Sequence, residues 1–221
     1  MNEAEQALLQ PRRLYTRAEI LSPNCPIPDT SGAYAFWFLD TLGVPDEDCV
    51  QHEGKTLLYV GISPRVPTAP GQASKFSIRS RIRYHFQGTA ENSTLRLTLG
   101  CLLRHQLRRV GAGGKRRTFA GKEKAISDWM DRNAFVSWIQ TDRPWEMEKE
   151  LLEQVSLPFN LDDNDKHHFH WVLTDLRRHA KRVSLELPIV LAPGQAPAPS
   201  AADSAKEEAP SADLEPATPR E

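Results

Sequence analysis

The sequence predicts an α+β fold, an α/β sandwich in which a small, mainly antiparallel sheet of three strands is flanked by helices. Three short apolar runs bounded by turn-forming residues are typical of strands: residues 33–39, 56–62 and 134–139. The first run is rich in aromatic residues, which indicates a strand covered on both faces. Only a loop separates the first two runs, so we expect them to form an antiparallel pair.

The helices are predicted from apolar residues at 3.6-residue spacing and from residues that favour helix ends. They cover residues 77–88, 93–110, 122–132, 144–155 and 169–183. Residues 63–74 contain three prolines and a glycine, so this segment is predicted to be irregular. We expect residues 1–30 to form an N-terminal arm, residues 31–186 the main domain and residues 187–221 a disordered tail rich in Pro, Ala and Glu.

The composition argues against several classes of protein. The chain has 221 residues, which allows one domain with a sizeable core and some appendages. Cys25, Cys49 and Cys101 are odd in number and widely spaced, so neither a disulfide framework nor a structural zinc site is expected. No apolar run is long enough for a bilayer and no export signal is evident. We therefore expect a soluble protein in the reducing cytoplasm.

Positive charge is concentrated in the middle of the chain. Between residues 65 and 117 Glu91 is the only acidic residue, whereas acids outnumber bases in the tail after residue 188. A basic block of this kind, which also includes Arg96 and Arg109, is typical of a surface that binds a polyanion. The candidate nucleic-acid-binding residues in it are Arg79, Arg83, Arg104, Arg108, Lys115, Arg116 and Arg117.

The helix predicted over residues 77–88 carries a pair of polar residues beside its apolar stripe. Ile78, Ile82 and Phe86 form the stripe, and Arg81 and His85 lie four residues apart along one edge of it. A guanidinium and an imidazole side by side can bind a phosphate and move a proton. The structural alternative is that both are rim residues with buried stems and solvated heads.

Glu148 lies on the apolar side of its predicted helix, three residues from Leu151 and four from Leu152. The other glutamates of this helix fall on the solvated side: Glu146, Glu150 and Glu153. A carboxylate directed at a core needs a partner, a proton or a metal ion, because its burial is otherwise costly. Glu148 is therefore either a member of a buried ion pair with an arginine or part of a functional site.

Two further patterns suggest ligand sites less specifically. Residues 111–115 are glycine-rich, but Arg109 and Arg116 stand where a Walker motif needs Gly and Ser or Thr, so we expect a basic turn. His167, His168 and His170 lie near the start of the last helix and are possible metal ligands. Adjacent histidines at a helix start point in divergent directions, which argues against a shared metal.

Several of these elements resemble the GIY-YIG nuclease superfamily, as a stand-alone catalytic domain of the bacterial type. Residues 32–34 (Gly-Ala-Tyr) and 59–61 (Tyr-Val-Gly) are similar to its two signature tripeptides. In the family the next helix carries an Arg followed four residues later by a His or Tyr, which Arg81 and His85 match. A glutamate in the pattern Glu-x-x-Leu-(Leu/Ile) then precedes a Pro and an Asn, matched by Glu148, Leu151, Leu152, Pro158 and Asn160.

The resemblance implies a hydrolase, an endonuclease that cleaves phosphodiester bonds with one divalent cation. Glu148 and waters would hold the cation, magnesium or alternatively manganese. Arg81 would neutralise charge on the phosphate in the transition state. Tyr34, with Tyr59 and His85 beside it, would orient and deprotonate the attacking water.

The resemblance also implies DNA as the substrate, with RNA as the alternative. The basic block would then follow the phosphate backbone without selecting a base sequence, and Asn160 would support the ligands or fix a loop. Two other functions stay open at this point. A catalytically silent module would keep the fold and bind nucleic acid, and an interaction protein would use its acidic tail to recruit a protein partner or cover the basic groove.

Overall fold

The computed structural model describes residues 3–64, 76–162 and 167–191. Within these ranges the strands are β1 (Tyr15–Thr16), β2 (Gly32–Phe38), β3 (Gln51–His52), β4 (Lys55–Ser63), β5 (Arg108–Val110), β6 (Arg116–Thr118) and β7 (Ala134–Gln140). Five of them form one antiparallel sheet in the order β1-β7-β2-β4-β3. The other two, β5 and β6, form a separate hairpin.

Seven α-helices occur in the same described ranges. They are α1 (Glu3–Leu9), α2 (Arg17–Leu21), α3 (Ile78–Gln87), α4 (Thr94–Leu102), α5 (Glu123–Asn133), α6 (Pro144–Gln154) and α7 (His170–Glu186). Short 3-10 turns at Ala90–Asn92 and Ala120–Lys122 precede α4 and α5. In the part of the chain that the structure describes, no helix combines the length and the apolar character needed to cross a bilayer.

The predicted antiparallel sheet is present, but with five strands in the described residues instead of three. β2, β4 and β7 correspond to the three predicted apolar runs, and β2 pairs with both of the others. β1 and β3 extend the sheet at its two edges. Each of these edge strands has only two residues, which is too short for any periodicity to be visible in the sequence.

The side chains of β2 alternate between two cores, one on each face of the sheet. Tyr34, Phe36 and Phe38 enter the larger core, to which α3, α4 and α5 contribute. Ala33, Ala35 and Trp37 enter the smaller core against α1 and α6. All seven residues of β2 are buried, so the prediction of a strand covered on both faces is confirmed.

The prediction that one helix runs from residue 93 to residue 110 was wrong. α4 ends at Leu102, Arg104 has a φ of 58°, and the chain then forms the β5–β6 hairpin. Val110, the apolar residue at the end of the predicted helix, lies in β5 and pairs with Arg116, so its apolar character belongs to the hairpin and not to α4. The predicted basic turn at residues 111–115 connects β5 to β6, and Gly111 and Gly114 adopt positive φ angles there.

Both ends of the described chain pack onto the domain. Leu8 and Leu9 of α1 are buried in the smaller core, and β1 pairs with β7. Val190 lies beyond the predicted start of the tail and exchanges backbone hydrogen bonds of 2.9 and 3.0 Å with Arg109 and Gly111. The predicted disorder of residues 192–221 and most of the predicted irregular loop, residues 65–75, lie outside the described residues.

The three cysteines are free, as predicted. Burial raises the pKa of the Cys49 and Cys101 thiols to about 11. Both thiols are therefore protonated at neutral pH and act as small apolar side chains in the core.

Candidate active site

The glycines of the two tripeptides lie where a side chain has no room. A Cβ atom on Gly32 would overlap the backbone oxygen of Ile139 on β7. Gly61 pairs with Tyr34 across the β2–β4 ladder, and a Cβ atom on Gly61 would overlap the phenol of Tyr34. The close approach of these groups therefore requires glycine at both positions.

Tyr34, His85 and Ser93 form a buried chain of hydrogen bonds. Oη of Tyr34 lies 2.8 Å from Nε2 of His85, and Nδ1 of His85 lies 2.7 Å from Oγ of Ser93. Ser93 also caps α4, because its Oγ accepts a hydrogen bond from the backbone N–H of Arg96. His85 is fully buried and both of its ring nitrogens have partners, so the alternative of a solvated rim residue does not hold for it.

Arg96 is fully buried and supports His85 from the backbone side. Its Nη1 donates to the backbone oxygen of His85 at 3.1 Å, and its Nη2 and Nε donate to the carboxylate of Glu123 at 2.8 and 3.1 Å. Glu123 in turn accepts hydrogen bonds from two backbone N–H groups. The assignment of Arg96 to a polyanion-binding surface was therefore wrong: it is one half of a buried ion pair.

The environment of Tyr34 brings the predicted catalytic residues together. Burial raises the pKa of Tyr34 well above its ordinary value of about 10. Tyr59 and Glu148 raise the pKa of Tyr34 further, and the positive charge of Arg81 and a hydrogen bond from its side chain lower it. These three side chains therefore lie close enough to act on the phenol electrostatically, and the phenol is protonated at neutral pH.

Glu148 lines a small cavity of about 120 Å³ together with Tyr59 and Asn160. The Glu148 side chain is half-buried. The three glutamates predicted to lie on the solvated side of the same helix are exposed: Glu146, Glu150 and Glu153. Asp162 contributes a second carboxylate to the cavity lining. Glu150 instead forms a hydrogen bond with Glu5 of α1 that raises the pKa of Glu150. The inward direction predicted for Glu148 is thus confirmed.

Asn160 closes the exposed edge of β4 beside this cavity. Its Oδ1 accepts from the backbone N–H of Val60 at 2.9 Å, and its Nδ2 donates to the backbone oxygen of Val60 at 2.7 Å. β3 pairs only with Lys55 and Thr56, so the side-chain amide satisfies backbone groups that a neighbouring strand would otherwise bond. Asn160 therefore holds the tripeptide that carries Tyr59.

Arg81 connects this cluster to a large basic groove. Its Nη1 donates to the backbone oxygen of Asn92 at 2.7 Å, which orients the half-buried guanidinium. The groove has a volume of about 820 Å³. The described cationic residues that line it are Arg81, Lys115, Arg116, Arg117, Arg177 and Lys181, against one acid, Glu91. A groove with this charge attracts a polyanion.

Only part of the predicted nucleic-acid-binding set lines the groove. Lys115, Arg116 and Arg117 do so through the β5–β6 hairpin. Arg79 and Arg83 face the N-terminal arm, where they donate to the backbone oxygens of residues 27 and 20 at 2.5 and 2.8 Å.

The other arginines of the predicted block lie around α7 and the end of α4. Arg108 donates to the backbone oxygen of Pro188 at 2.9 Å, and Arg109 donates to three backbone oxygens at the end of α7. Arg104 is exposed just beyond α4.

His167 and His170, at the start of α7, have structural contacts. Nδ1 of His167 accepts from the backbone N–H of Phe169 at 3.1 Å, and Nε2 of His170 donates to the backbone oxygen of Leu161 at 3.1 Å. In the described ranges, no group of three His, Cys, Asp or Glu side chains is arranged to hold a metal. The alternative of a histidine metal site is therefore not supported by the described residues.

Four functional candidates were not recognised in the sequence: Ser93, Arg96, Asp162 and Arg177. Arg96 lies between leucines on a strongly apolar helix, and this position could have indicated that it is buried. A count of charges along the chain does not show this. Ser93 was predicted only as the first residue of a helix. Asp162 and Arg177 reach the site from a turn and from α7, and no local pattern marks them.

Comparison with models of protein families assigns the chain to a family. The chain matches the model of the GIY-YIG catalytic domain over residues 32–179, which is more than half of its length. No significant match was found among curated proteins or among solved structures. The matched region contains Tyr34, Tyr59, Arg81, His85 and Glu148. The chain therefore belongs to the family of proteins with a GIY-YIG catalytic domain.

Proposed function

We propose that the protein is a metal-dependent endonuclease that hydrolyses phosphodiester bonds in DNA. Membership of the family supports a nuclease in general. The observation that carries the proposal is the cluster around Tyr34, in which His85 is hydrogen-bonded to the phenol and the charges of Arg81 and Glu148 act on it. His85 as a base, the positively charged guanidinium of Arg81 and the carboxylate of Glu148 thus surround the Tyr34 phenol beside the basic groove.

The residues around Glu148 suit a hard divalent cation. Glu148, Asp162 and the Tyr59 hydroxyl provide oxygen donors around a cavity of about 120 Å³, enough space for an ion and several waters at about 30 Å³ each. Magnesium is bound by few carboxylates and keeps several waters, which fits the two carboxylates that line the cavity, Glu148 and Asp162. Glu148 would hold the ion, and manganese could replace magnesium. When bound, such a cation polarises the scissile phosphate and stabilises the leaving oxygen.

Water activation is assigned to the two tyrosines and His85. Tyr59 lines the cavity with Glu148, so it contacts and orients a water there. Tyr34 is protonated at neutral pH, so it accepts the proton of the water only while it passes its own proton to a neighbour. Nε2 of neutral His85, 2.8 Å away, is that acceptor, and the Nδ1–H of His85 donates to Ser93.

Arg81 stabilises the phosphate as negative charge develops on it. Its guanidinium faces the groove and is oriented by the backbone oxygen of Asn92. A pre-oriented cation at this point acts on the transition state without a cost of reorganisation, and loss of one such group lowers the rate by about a hundredfold or more.

Cleavage of supercoiled plasmid tests the proposal. Purified protein is incubated with plasmid in magnesium, in manganese and in chelator, and nicked and linear products are quantified. We expect cleavage that depends on the metal and that is abolished by Glu148→Gln and reduced at least about a hundredfold by Arg81→Ala. Glu148→Gln should still bind DNA.

Glu150→Gln is the matched control, because Glu150 is on the same helix but contacts Glu5 instead of the cavity. We expect Glu150→Gln to cleave like the wild type. Equal cleavage by Glu148→Gln and wild type would contradict the metal-ligand assignment. Metal-independent retention of DNA without any cleavage would instead support the silent binding module.

A further inference from the structure

Arg177 lies at the junction of the two cavities. It lines the small cavity that contains Glu148 and also the large basic groove that contains Arg81. Thr94 on α4 shares this position. Lys181, one turn further along α7, lines the groove but not the small cavity. A ligand that extends from the Glu148 cavity into the groove would therefore pass Arg177.

The Nε atom of Arg177 is shielded from solvent and forms no hydrogen bond with the described residues. A shielded N–H without an acceptor is unfavourable, and the loss is greater when the group is charged. The Nε atoms of Arg108 and Arg117 are likewise shielded and unpaired within the described residues, whereas those of Arg79 and Arg109 donate to backbone oxygens. The fold therefore does not use this donor of Arg177 for its own stability.

Arg177 and Lys181 lie on the side of α7 that faces α4 and the groove. Burial raises the pKa of Cys101 on α4, and both cations lower it, so both lie near the α4 side of α7. Across the groove, Arg81 and the β5–β6 hairpin present positive charge from other elements. Cations from α3, from the hairpin and from α7 thus line one continuous groove.

We propose that Arg177 binds a phosphate of the nucleic-acid strand next to the scissile phosphate, and that Lys181 binds a further phosphate on the same side. This inference rests on the proposed nuclease function. A guanidinium can donate two N–H bonds to one phosphate, which suits a side chain that lines both cavities. Arg177 and Lys181 on α7 then position the nucleic-acid strand between Arg81 and Glu148.

Binding measurements test this without cleavage. The variants Arg177→Gln, Lys181→Gln and Arg178→Gln are each made in the Glu148→Gln background, and the affinity for a short fluorescein-labelled DNA duplex is measured at several salt concentrations. Arg178 is the control, because it is exposed and pairs with Asp175 on the outer face of α7. Arg177→Gln should weaken binding about 10- to 100-fold and reduce the salt slope by about one, and Lys181→Gln should have a smaller effect.

Arg178→Gln should bind within about twofold of the parent protein, as expected for one screened surface charge. If Arg177→Gln and Arg178→Gln bind alike, the inference is wrong. Thermal unfolding separates a structural role: the midpoint of Arg177→Gln should stay unchanged or rise, and a large fall would overturn the inference. Arg177→Lys should show an intermediate affinity, because it keeps the charge but loses the paired donors.

The inference and the proposed function fail in different ways. If the wild type binds DNA through Arg177 but no plasmid is cleaved in either metal, the phosphate site stands and the enzymatic proposal fails. If the wild type cleaves and Arg177→Gln cleaves and binds equally well, only the phosphate site fails.

Discussion

The phenol ring of Tyr34 lies directly across Gly61, its partner in the β2–β4 ladder. A Cβ atom at position 61 would come within 2.5 Å of Cζ of the ring. Tyr34 can therefore occupy this position only because residue 61 on the neighbouring strand has no side chain. The glycine of the second tripeptide thus leaves space for the tyrosine of the first.

Gly61→Ala should displace Tyr34 and separate it from His85. Overpacking of this kind costs about 1–3 kcal/mol of folding free energy, and the misplaced base should reduce cleavage by a larger factor than the loss of stability explains. Urea unfolding and plasmid cleavage measure the two effects. Gly121→Ala is the control, since nothing lies near a Cβ atom there. Full activity of Gly61→Ala would show that the position of Tyr34 is not critical.

Tyr34→Phe should abolish the transfer of a proton to His85 and lower cleavage by about 100-fold or more. Tyr59→Phe should raise the concentration of metal or DNA needed for half-maximal cleavage more than it lowers the maximal rate, because Tyr59 orients the water but does not transfer its proton.

Wild-type activity should fall at acidic pH, since protonated His85 cannot accept the proton of Tyr34. A pH–rate profile that is unchanged by Tyr34→Phe would contradict the relay.

Burial of neutral Tyr34 should also appear as a dependence of stability on pH. The folded-state pKa of Tyr34 is raised, so its contribution is fully present below the unfolded pKa of about 10 and is lost as pH rises through the folded pKa. Urea unfolding of the wild type and Tyr34→Phe, measured from neutral to strongly alkaline pH, checks this. The wild type should lose more stability than Tyr34→Phe. Equal losses of stability in the two proteins would mean that folding does not raise the pKa of Tyr34.

Ser93→Ala should affect both the α4 cap and the orientation of His85. Loss of an N-cap costs about 1 kcal/mol, and loss of the Nδ1 partner should additionally lower the cleavage rate by roughly tenfold and change its pH profile. Ser77→Ala is a matched control, because Ser77 caps α3 but does not contact His85. Equal effects of the two variants on cleavage would leave Ser93 with a capping role only.

Arg96→Met should be strongly destabilising on its own, because it leaves Glu123 half-buried without its ion-pair partner. The expected loss is about 3–5 kcal/mol, and Arg96→Met combined with Glu123→Leu should recover part of it. Thermal and urea unfolding of the two single variants and the double variant form the required cycle. Additive losses would indicate that the pair is not coupled. Arg116→Met, which changes an exposed groove cation, should leave stability within about 0.5 kcal/mol.

The comparison of prediction and structure is uneven along the chain. β2, β4, α3 and α5 were predicted within about one or two residues, because each has a complete apolar pattern and clear ends. The edge strands β1 and β3 are too short to carry a pattern, and they form because backbone groups of the central strands need partners. The helix predicted to residue 110 failed because Val110, whose spacing fits the apolar face of α4, lies in β5 and pairs with Arg116.

The sequence by itself determined the order of the central strands β2, β4 and β7 and the choice of Tyr34, Tyr59, Arg81, His85 and Glu148 as the candidate site, because strand patterns, motif spacing and helical phase are local properties. Only the tertiary structure decided which cations are structural. Arg96 and Arg177 are both arginines of apolar helix faces, yet one is paired with Glu123 and the other lies between two cavities. That difference depends on which distant side chain packs beside each guanidinium, and no spacing along the chain records it.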